Sequence, residues 1–235
     1  MSRRPIYPMS IEISLRKGDR CIIVGKSGSG KTTLALELAR TMPLPLLIVD
    51  TKWSGSITDA AKRHGWRVVE GRFPDKLEGV TVWRPDADTL NDPMALDAPF
   101  SALVDHRKPC SVYFDELYPL HVAGRAGPGL TGLFTRGREM GFCTMGGAQR
   151  PSWVSLFCLT EANIHVIMRL DLPQDRKRMA AVTGYPEIAE VELPNRYFWY
   201  IEEGDEPTLV EPIRPGSAPK MDVPSPTARK HILIK

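Results

Sequence analysis

Residues 25–32 form the sequence feature that most restricts the fold of this chain. Their sequence is Gly-Lys-Ser-Gly-Ser-Gly-Lys-Thr, which matches the phosphate-binding pattern G-x-x-x-x-G-K-[ST]. The apolar residues 21–24 before the loop are typical of a buried strand, and residues 33–40 after it are rich in helix formers. This order of strand, glycine loop and helix lets backbone N–H groups and a helix N-terminus surround a polyphosphate.

The residues of this loop have predicted roles in binding ATP and Mg²⁺. We expect Lys31 to contact the β- and γ-phosphates, where it also serves catalysis, and the Thr32 hydroxyl to bind Mg²⁺. The predicted nucleotide-binding residues are Gly25, Lys26, Ser27, Gly28, Ser29, Gly30, Lys31, Thr32 and Thr33. ATP and Mg²⁺ are therefore the predicted cofactors.

Composition limits the other classes of protein that this chain could represent. The 235 residues carry a formal net charge of +3, so binding of DNA would require a local basic surface. The four cysteines form no C-x-x-C pair, which argues against a zinc or thiol-redox motif and suits a reducing cytosol. No apolar run is long enough to span a bilayer and no secretion signal is recognisable, so we expect a cytoplasmic protein without a membrane span.

Alternating strand and helix patterns predict an α/β fold. Strands are predicted within residues 11–15, 21–24, 46–50, 67–69, 80–83, 110–114, 143–145 and 163–168, and helices within residues 33–40, 57–64, 133–140 and 174–182. Such alternation favours a doubly wound, mostly parallel sheet with its ligand at the carboxyl ends of the strands. Residues 196–212 predict a C-terminal β-hairpin, and residues 214–235 an extended, proline-rich basic tail. Residues 84–99 are predicted to be loop with some helix, and residues 118–132 to be a long loop.

Two carboxylates follow the strand predicted at residues 110–114. Asp115 can hold Mg²⁺ together with Thr32, and Glu116 can orient a water molecule towards the γ-phosphate. A glutamate at this point favours a hydrolase over a kinase, because the nucleophile of a kinase comes with its substrate. The alternative is an acidic pair that only ends a strand and begins a helix.

Polar residues around the next predicted strand complete the candidate catalytic set. Gln149 follows that strand and can contact the γ-phosphate or the attacking water. Arg136 and Arg138 lie in the helix before the strand and are candidates for an arginine finger supplied across a subunit interface. A solvated helix face is the alternative for either arginine.

The order of these motifs resembles the FtsK/HerA superfamily of DNA-pumping ATPases. The resemblance covers about residues 18–183 and is most specific in G-R-E-M-G-F (137–142), A-Q-R-P-S (148–152) and R-L-D-L-P-Q-D-R-K-R (169–178). Within the superfamily, the chain is most similar to the genome-packaging ATPases of tailless double-stranded DNA viruses and related phage enzymes. This resemblance implies a P-loop NTPase fold of the RecA/FtsK type, with an ATPase motor domain over residues 1–213.

The same resemblance implies partners and a site of action. We expect a homo-oligomeric ring, pentamer or hexamer, that translocates double-stranded DNA and packages a viral genome, with a capsid vertex or portal as a further candidate partner. A viral protein of this kind would act in the host cytoplasm. The candidate DNA contacts are His121 and Arg125 in the loop 118–132, Lys52 and Trp53, and the basic run 176–178. The tail, with Arg229, Lys230 and Lys235, is instead a candidate segment for docking on a neighbouring subunit or partner, and a loose terminus is the alternative.

Other functions stay open on the sequence alone. The chain could be an ATPase for protein export or virion assembly, similar to filamentous-phage export factors, or a cellular FtsK/HerA-type DNA-processing ATPase. A nucleoside kinase and a nucleotide-binding scaffold without turnover are further classes, although Glu116 argues against both and Gln149 against the kinase. The ATPase rate with and without double-stranded DNA distinguishes these classes.

Overall fold

A nine-stranded sheet forms the centre of the molecule. The computed structural model describes residues 11–213 and 232–233 of the chain. The strands among these residues are β1 (Glu12–Ile13), β2 (Arg20–Val24), β3 (Leu46–Val49), β4 (Arg67–Glu70), β5 (Val80–Arg84), β6 (Ser111–Phe114), β7 (His121–Val122), β8 (Arg125–Ala126), β9 (Cys143–Ala148), β10 (Ile164–Met168), β11 (Phe198–Glu202), β12 (Thr208–Val210) and β13 (Ile232–Leu233).

The order of strands along the sheet is β12-β11-β10-β2-β9-β6-β3-β5-β4. Every neighbouring pair from β10 to β4 is parallel, whereas β11 and β12 form an antiparallel hairpin at one side. We call the edge at which the parallel strands end the carboxyl edge, and the opposite one the amino edge. The doubly wound, mostly parallel sheet and the C-terminal hairpin predicted from the sequence are therefore confirmed.

Helices cover both faces of the sheet. They are α1 (Lys31–Ala39), α2 (Gly55–His64), α3 (Ala87–Asn91), α4 (Pro93–Asp105), α5 (Pro128–Thr135), α6 (Gly137–Met140), α7 (Leu156–Glu161), α8 (Pro173–Thr183) and α9 (Glu187–Glu190). Alternate residues of β2 contribute to two separate cores: Ile22 packs with α4, α5, α7 and α8, whereas Ile23 packs with α1 and α2. Burial on both faces explains why the central strands are continuous apolar runs. No helix among the described residues is long and apolar enough to cross a membrane.

Helices α4 and α5 lie partly in segments that the sequence predicted to be loop or loop with some helix. Helix α4 begins at Pro93, where the missing N–H group of proline costs nothing, and the Asp92 side chain caps it by accepting from Met94 N at 2.9 Å. Helix α5 begins at Pro128, inside the predicted loop 118–132. Its first turn is held by the buried carboxylate of Asp97, which accepts from Gly129 N at 2.5 Å and Leu130 N at 2.8 Å. A cap supplied from a different helix leaves no local sequence signal.

Strand β13 comes from the segment predicted to be an extended tail. It pairs antiparallel with β1, so that Ile13 lies opposite Ile232. Residues 214–231 and 234–235 lie outside the described residues, and with them Arg229, Lys230 and Lys235 of the proposed docking segment. The division into a motor domain and a tail stays a prediction.

Candidate active site

The phosphate-binding loop connects β2 to α1 at the carboxyl edge. Gly30 has a left-handed φ of 98° and precedes the first helical residue, Lys31. Helix α1 has no side-chain cap and no acidic residue in its first turn. Its N-terminal N–H groups therefore remain available for an anion, which the positive end of the helix dipole also favours.

A cleft of about 510 Å³ opens above this loop. Its lining residues are Ser27, Gly28, Gly30, Lys31, Thr32, Thr33, Leu34, Lys52, Ser54, Ser56, Asp115, Gln149, Met168, Arg196, Phe198 and Ile213. The volume lies within the range of small-molecule and cofactor sites. The prediction of a ligand site at the carboxyl ends of the strands therefore agrees with the position of this cleft.

The side chain of Lys31 folds back over its own loop. Its Nζ donates to Gly25 O at 2.6 Å and to Lys26 O at 3.0 Å. Burial lowers the pKa of Lys31 to about 8; the negative charge of Glu116 opposes this shift, and the positive charge of Lys52 adds to it. A polyphosphate in the cleft would supply the negative charge that this half-buried ammonium lacks.

Thr32 and Asp115 meet as predicted for a metal site. Thr32 Oγ1 donates to Asp115 Oδ1 at 3.1 Å, and the Tyr113 hydroxyl donates to the same oxygen at 2.9 Å. Burial raises the pKa of Tyr113 well above its usual range, so the phenol stays protonated and donates. Hydroxyl and carboxylate oxygens suit Mg²⁺, whose remaining ligands would be phosphate and water. No group of three or more His, Cys, Asp or Glu residues among the described residues could hold a metal by itself.

Glu116 lies directly behind the cleft and is only 7% exposed. Its Oε2 accepts from Lys52 Nζ at 2.5 Å, and its Oε1 accepts from Gln149 N at 3.4 Å. The two partners both line the cleft, whereas Glu116 itself does not. Glu116 and Gln149, two of the predicted catalytic residues, are therefore neighbours in the structure.

Close packing of β9 against the end of β6 holds this arrangement. A Cβ atom on Gly147 would lie 2.5 Å from Asp115 O, and one on Gly146 would lie 2.5 Å from Leu117 Cδ1. Leu117 N donates to Gly147 O at 2.9 Å, which continues the pairing past the acidic residues. Glycine at 147 therefore lets β9 approach the backbone of Asp115, and glycine at 146 leaves room for the buried side chain of Leu117.

Lys52 is a site residue that the sequence analysis assigned to DNA contact instead. It lies in the turn between β3 and α2, with its side chain in the nucleotide cleft. Asp50 fixes this turn by accepting from Ser54 N at 2.9 Å and from Arg84 Nε at 3.0 Å. The sequence did contain a signal for this position, namely the polar residues 50–52 directly after an apolar strand. Strand β3 is the neighbour of β6 and both end at the carboxyl edge, so polar residues that follow β3 lie near the acidic pair.

The sequence analysis also missed one wall of the cleft. Met168 ends β10, Phe198 begins β11, and Ile213 follows β12, so all three reach the carboxyl edge. Arg196 completes this wall with a left-handed φ of 70°, a conformation that its residue type does not predict. These residues provide apolar surface next to the phosphate-binding half of the cleft.

Arg136 and Arg138 lie at the amino edge, on the far side of the sheet from the cleft. Arg138 packs against the turn before β2, since a Cβ on Gly18 would lie 3.5 Å from Arg138 Cγ. Arg136 pairs with Asp105 at 3.6 Å on the surface. The five residues of β2 span roughly 16 Å, so neither side chain can reach the cleft of its own chain. A role as an arginine finger would require a neighbouring subunit and stays a prediction.

His121, which the sequence suggested as a DNA contact, is a buried residue with both ring nitrogens hydrogen-bonded inside the protein. It is 8% exposed, its Nδ1 donates to Leu117 O at 2.8 Å, and its Nε2 accepts from Ser155 N at 3.0 Å. Burial lowers its pKa, which matches a neutral ring with one donor and one acceptor nitrogen. Arg125, in contrast, is exposed next to the turn of the β7–β8 hairpin.

The basic run 176–178 also has a largely structural role. Arg176 Nη1 donates to the carbonyls of Leu170 and Asp171 at 2.8 and 3.0 Å, and Arg178 Nη2 donates to Val154 O at 2.9 Å. These two guanidinium groups hold loops onto α8, and only Lys177 between them is fully exposed. The run therefore does not present a continuous basic face for DNA.

No protein-family model and no curated protein matches the sequence. Solved structures nevertheless share its fold. B204, the DNA-packaging ATPase from Sulfolobus Turreted Icosahedral Virus, is 17% identical, with a TM-score of 0.64 over 84% of this chain and 99% of that chain. The genome packaging NTPase B204 from Sulfolobus turreted icosahedral virus 2, in complex with AMPPCP, is 14% identical, with a TM-score of 0.64 over 83% and 98%.

VirB4 of Thermoanaerobacter pseudethanolicus also shares the fold. It is 9% identical, with a TM-score of 0.61 over 83% of this chain and 89% of that chain. B204 and VirB4 are FtsK/HerA-type P-loop ATPases. The resemblance inferred from the motifs is therefore confirmed at the level of the fold.

Proposed function

We propose that this chain is an ATP-hydrolysing motor that translocates double-stranded DNA as a homo-oligomeric ring. The observation that carries the proposal is the meeting of Lys31, Thr32 and Asp115 in one cleft, with Glu116 and Gln149 at its border. They provide, in this order, a cation that binds the phosphates, two ligands of a metal site, a general base, and a polar group that contacts the attacking water. Together they are the parts that hydrolysis of a nucleoside triphosphate requires.

The chain's own residues divide the work of hydrolysis between them. Lys31 and the loop N–H groups bind the phosphates, and Thr32 with Asp115 would hold Mg²⁺, which when bound neutralises charge on the phosphates. Glu116 takes a proton from water while the water oxygen bonds to the γ-phosphorus. The bond from that phosphorus to the bridging oxygen breaks, and its electron pair leaves with ADP. We assign the orientation of the water to Gln149, which lines the same cleft.

Double-stranded DNA is the substrate that we propose for the motor, and packaging of a viral genome is its proposed use. The DNA-packaging ATPase B204 supports this, because it shares the fold over 99% of its own length. Arg125 supports it as well, since it is an exposed cation on a hairpin that follows the acidic strand. Contacts of this kind bind phosphates without reading sequence.

ATP turnover measured with and without linear double-stranded DNA tests the proposed function. We expect turnover by the wild-type protein, stimulation by DNA of any sequence, and loss of turnover by about 10²-fold or more in Glu116→Gln. Absence of turnover in the wild-type protein under both conditions would contradict an ATPase. Turnover that ignores DNA would contradict a DNA motor and favour an ATPase for protein export or virion assembly.

A further inference from the structure

The ion pair between Lys52 and Glu116 occupies the carboxylate that we propose as general base. Lys52 Nζ lies 2.5 Å from Oε2, and the other oxygen accepts from Gln149 N at 3.4 Å. A carboxylate that takes a proton from water must present an oxygen to that water. In this arrangement, both oxygens are engaged and Lys52 stands between Glu116 and the cleft.

The backbone of Lys52 is fixed, whereas its side chain has room to move. Asp50, fully buried, accepts from Ser54 N at 2.9 Å and from Arg84 Nε at 3.0 Å, and Arg84 also contacts Thr58 of α2. These bonds hold the turn that carries Lys52 to both β5 and α2. The Lys52 side chain itself is 39% exposed towards the cleft. Its ammonium can therefore change partners without any movement of the turn.

Charge in the cleft decides which partner Lys52 has. The positive charge of Lys52 disfavours the charged form of Lys31, whereas the carboxylates of Glu116 and Asp115 favour it. The γ-phosphate of ATP carries more negative charge than one carboxylate, so it attracts an ammonium more strongly than Glu116 does. ADP has no γ-phosphate, and its β-phosphate lies at the loop and Lys31. Only a triphosphate can therefore draw Lys52 away from Glu116.

We propose that Lys52 is a switch residue: it pairs with Glu116 while the γ-phosphate position is empty, and it moves to the γ-phosphate when ATP binds. The move frees Glu116 to accept a proton from water only when a phosphate is present to be attacked. This inference rests on the proposed ATP site and adds a positioning residue to it.

A double-mutant cycle on nucleotide affinity tests the switch. The dissociation constants of AMPPCP and ADP with Mg²⁺ are measured by titration calorimetry for the wild-type protein, Lys52→Gln, Glu116→Gln and the double variant. We expect Lys52→Gln to weaken AMPPCP by about tenfold and ADP by less than about twofold, because only the triphosphate analogue loses a charge-assisted bond. We expect Glu116→Gln to tighten AMPPCP by about fivefold, because Lys52 no longer has to leave a carboxylate.

The double variant separates the switch from simple charge repulsion. If Glu116 only repels the γ-phosphate, the tightening by Glu116→Gln persists in the Lys52→Gln background. If Lys52 is the switch, the tightening disappears there. Equal weakening of AMPPCP and ADP by Lys52→Gln would also overturn the proposal, since it would make Lys52 a structural residue. Lys62→Gln on the exposed face of α2 is the matched control and should change neither affinity.

These measurements do not depend on turnover, because AMPPCP is not hydrolysed. If the protein binds both nucleotides but the effects of Lys52→Gln and Glu116→Gln on AMPPCP affinity are independent of each other, the switch is overturned and the proposed function stays intact. A wild-type protein that binds neither nucleotide would overturn the proposed function and the switch with it. The backbone of the turn is held by Asp50 and not by Lys52, so Lys52→Gln removes the ammonium group and leaves these bonds in place.

Discussion

Thr32 and Asp115 are 83 residues apart in the chain, and their side chains meet in a hydrogen bond of 3.1 Å from Oγ1 to Oδ1. The hydroxyl comes from the first turn of α1 and the carboxylate from the end of β6. Tyr113 donates to the same carboxylate oxygen at 2.9 Å and fixes its orientation. The fold itself therefore brings together the two oxygens proposed for Mg²⁺.

Asp115→Asn should weaken the dependence of nucleotide affinity on Mg²⁺. We expect the gain in AMPPCP affinity on adding Mg²⁺ to fall by about tenfold, because a carboxylate that orients a metal site is replaced by a neutral amide. Titration calorimetry with and without Mg²⁺ measures this gain. Asp88→Asn, at an exposed position of α3, is the control. An unchanged Mg²⁺ dependence in Asp115→Asn would remove Asp115 from the metal site.

Nucleotide affinity should fall at high pH because of Lys31. Burial lowers its pKa to about 8, and the negative charge of bound phosphates would raise it. At a pH below this pKa, Lys31 is already charged and the nucleotide affinity is constant. At a pH above it, Lys31 must take up a proton when the nucleotide binds, so the affinity declines as the pH rises. The decline ends where the pH exceeds the higher pKa that Lys31 has in the complex. AMPPCP titrations from about pH 7.5 to about pH 10 measure the decline. In Lys31→Arg, which stays charged, the decline should disappear.

Arg138→Ala should bind nucleotide normally and yet lose turnover by about 10³-fold, if a neighbouring subunit supplies this cation to the γ-phosphate. Mixing it with Glu116→Gln should restore part of the activity, because some interfaces then pair an intact Glu116 with an intact Arg138. Arg16→Ala, at the same edge of the sheet, should stay active. No recovery at any ratio in mixed rings would exclude Arg138. A dead Arg136→Ala beside an active Arg138→Ala would move the role to Arg136.

Binding of DNA should depend steeply on salt and little on sequence. Arg125→Ala should lower the slope of log affinity against log salt concentration by about one unit for each subunit that contacts a phosphate. Fluorescence anisotropy with labelled duplexes at several salt concentrations measures the slope. Arg72→Ala removes an exposed arginine elsewhere and should leave the slope unchanged. Sequence-specific binding that ignores salt would contradict phosphate contacts.

Asp97→Ala should lower the free energy of unfolding by about 3 kcal/mol, because two buried N–H groups of α5 lose their acceptor. Denaturant unfolding followed by circular dichroism measures the difference. Asp105 lies at the exposed end of α4, the helix that also contains Asp97, and Asp105→Ala should change the free energy of unfolding by less than about 1 kcal/mol. Equal effects of the two variants would show that the cap of α5 contributes little.

Contacts between neighbours in the chain explain what the sequence predicted well. The phosphate loop and the acidic pair lie next to apolar strands, so local pattern is enough to place Lys31, Asp115 and Glu116. Gln149 could be assigned to the site because it directly follows an apolar strand, and the parallel strands of such a sheet end at the same edge. The pattern also identified the sheet and its closing hairpin.

Contacts between distant residues explain what the sequence did not predict. Asp97 caps α5 from 32 residues away, so the start of that helix was mistaken for loop. Lys52 pairs with Glu116 across 64 residues, so its charge was assigned to DNA rather than to the nucleotide cleft. His121 was expected on a surface loop, because its acceptor and donor partners, Leu117 and Ser155, only meet in the folded chain.

Gly146 and Gly147 of β9 restrict which residues the sequence can carry at these two positions, although neither glycine is a catalytic group. Neither Gly146 nor Gly147 lines the cleft, yet an added methyl group would lie 2.5 Å from an atom of the acidic segment in each case. In a saturation mutagenesis screen for turnover, both positions should therefore appear as intolerant as Lys31. Among descendants of this gene, substitutions at these two sites should be as rare as at the catalytic ones, although neither glycine takes part in the chemistry.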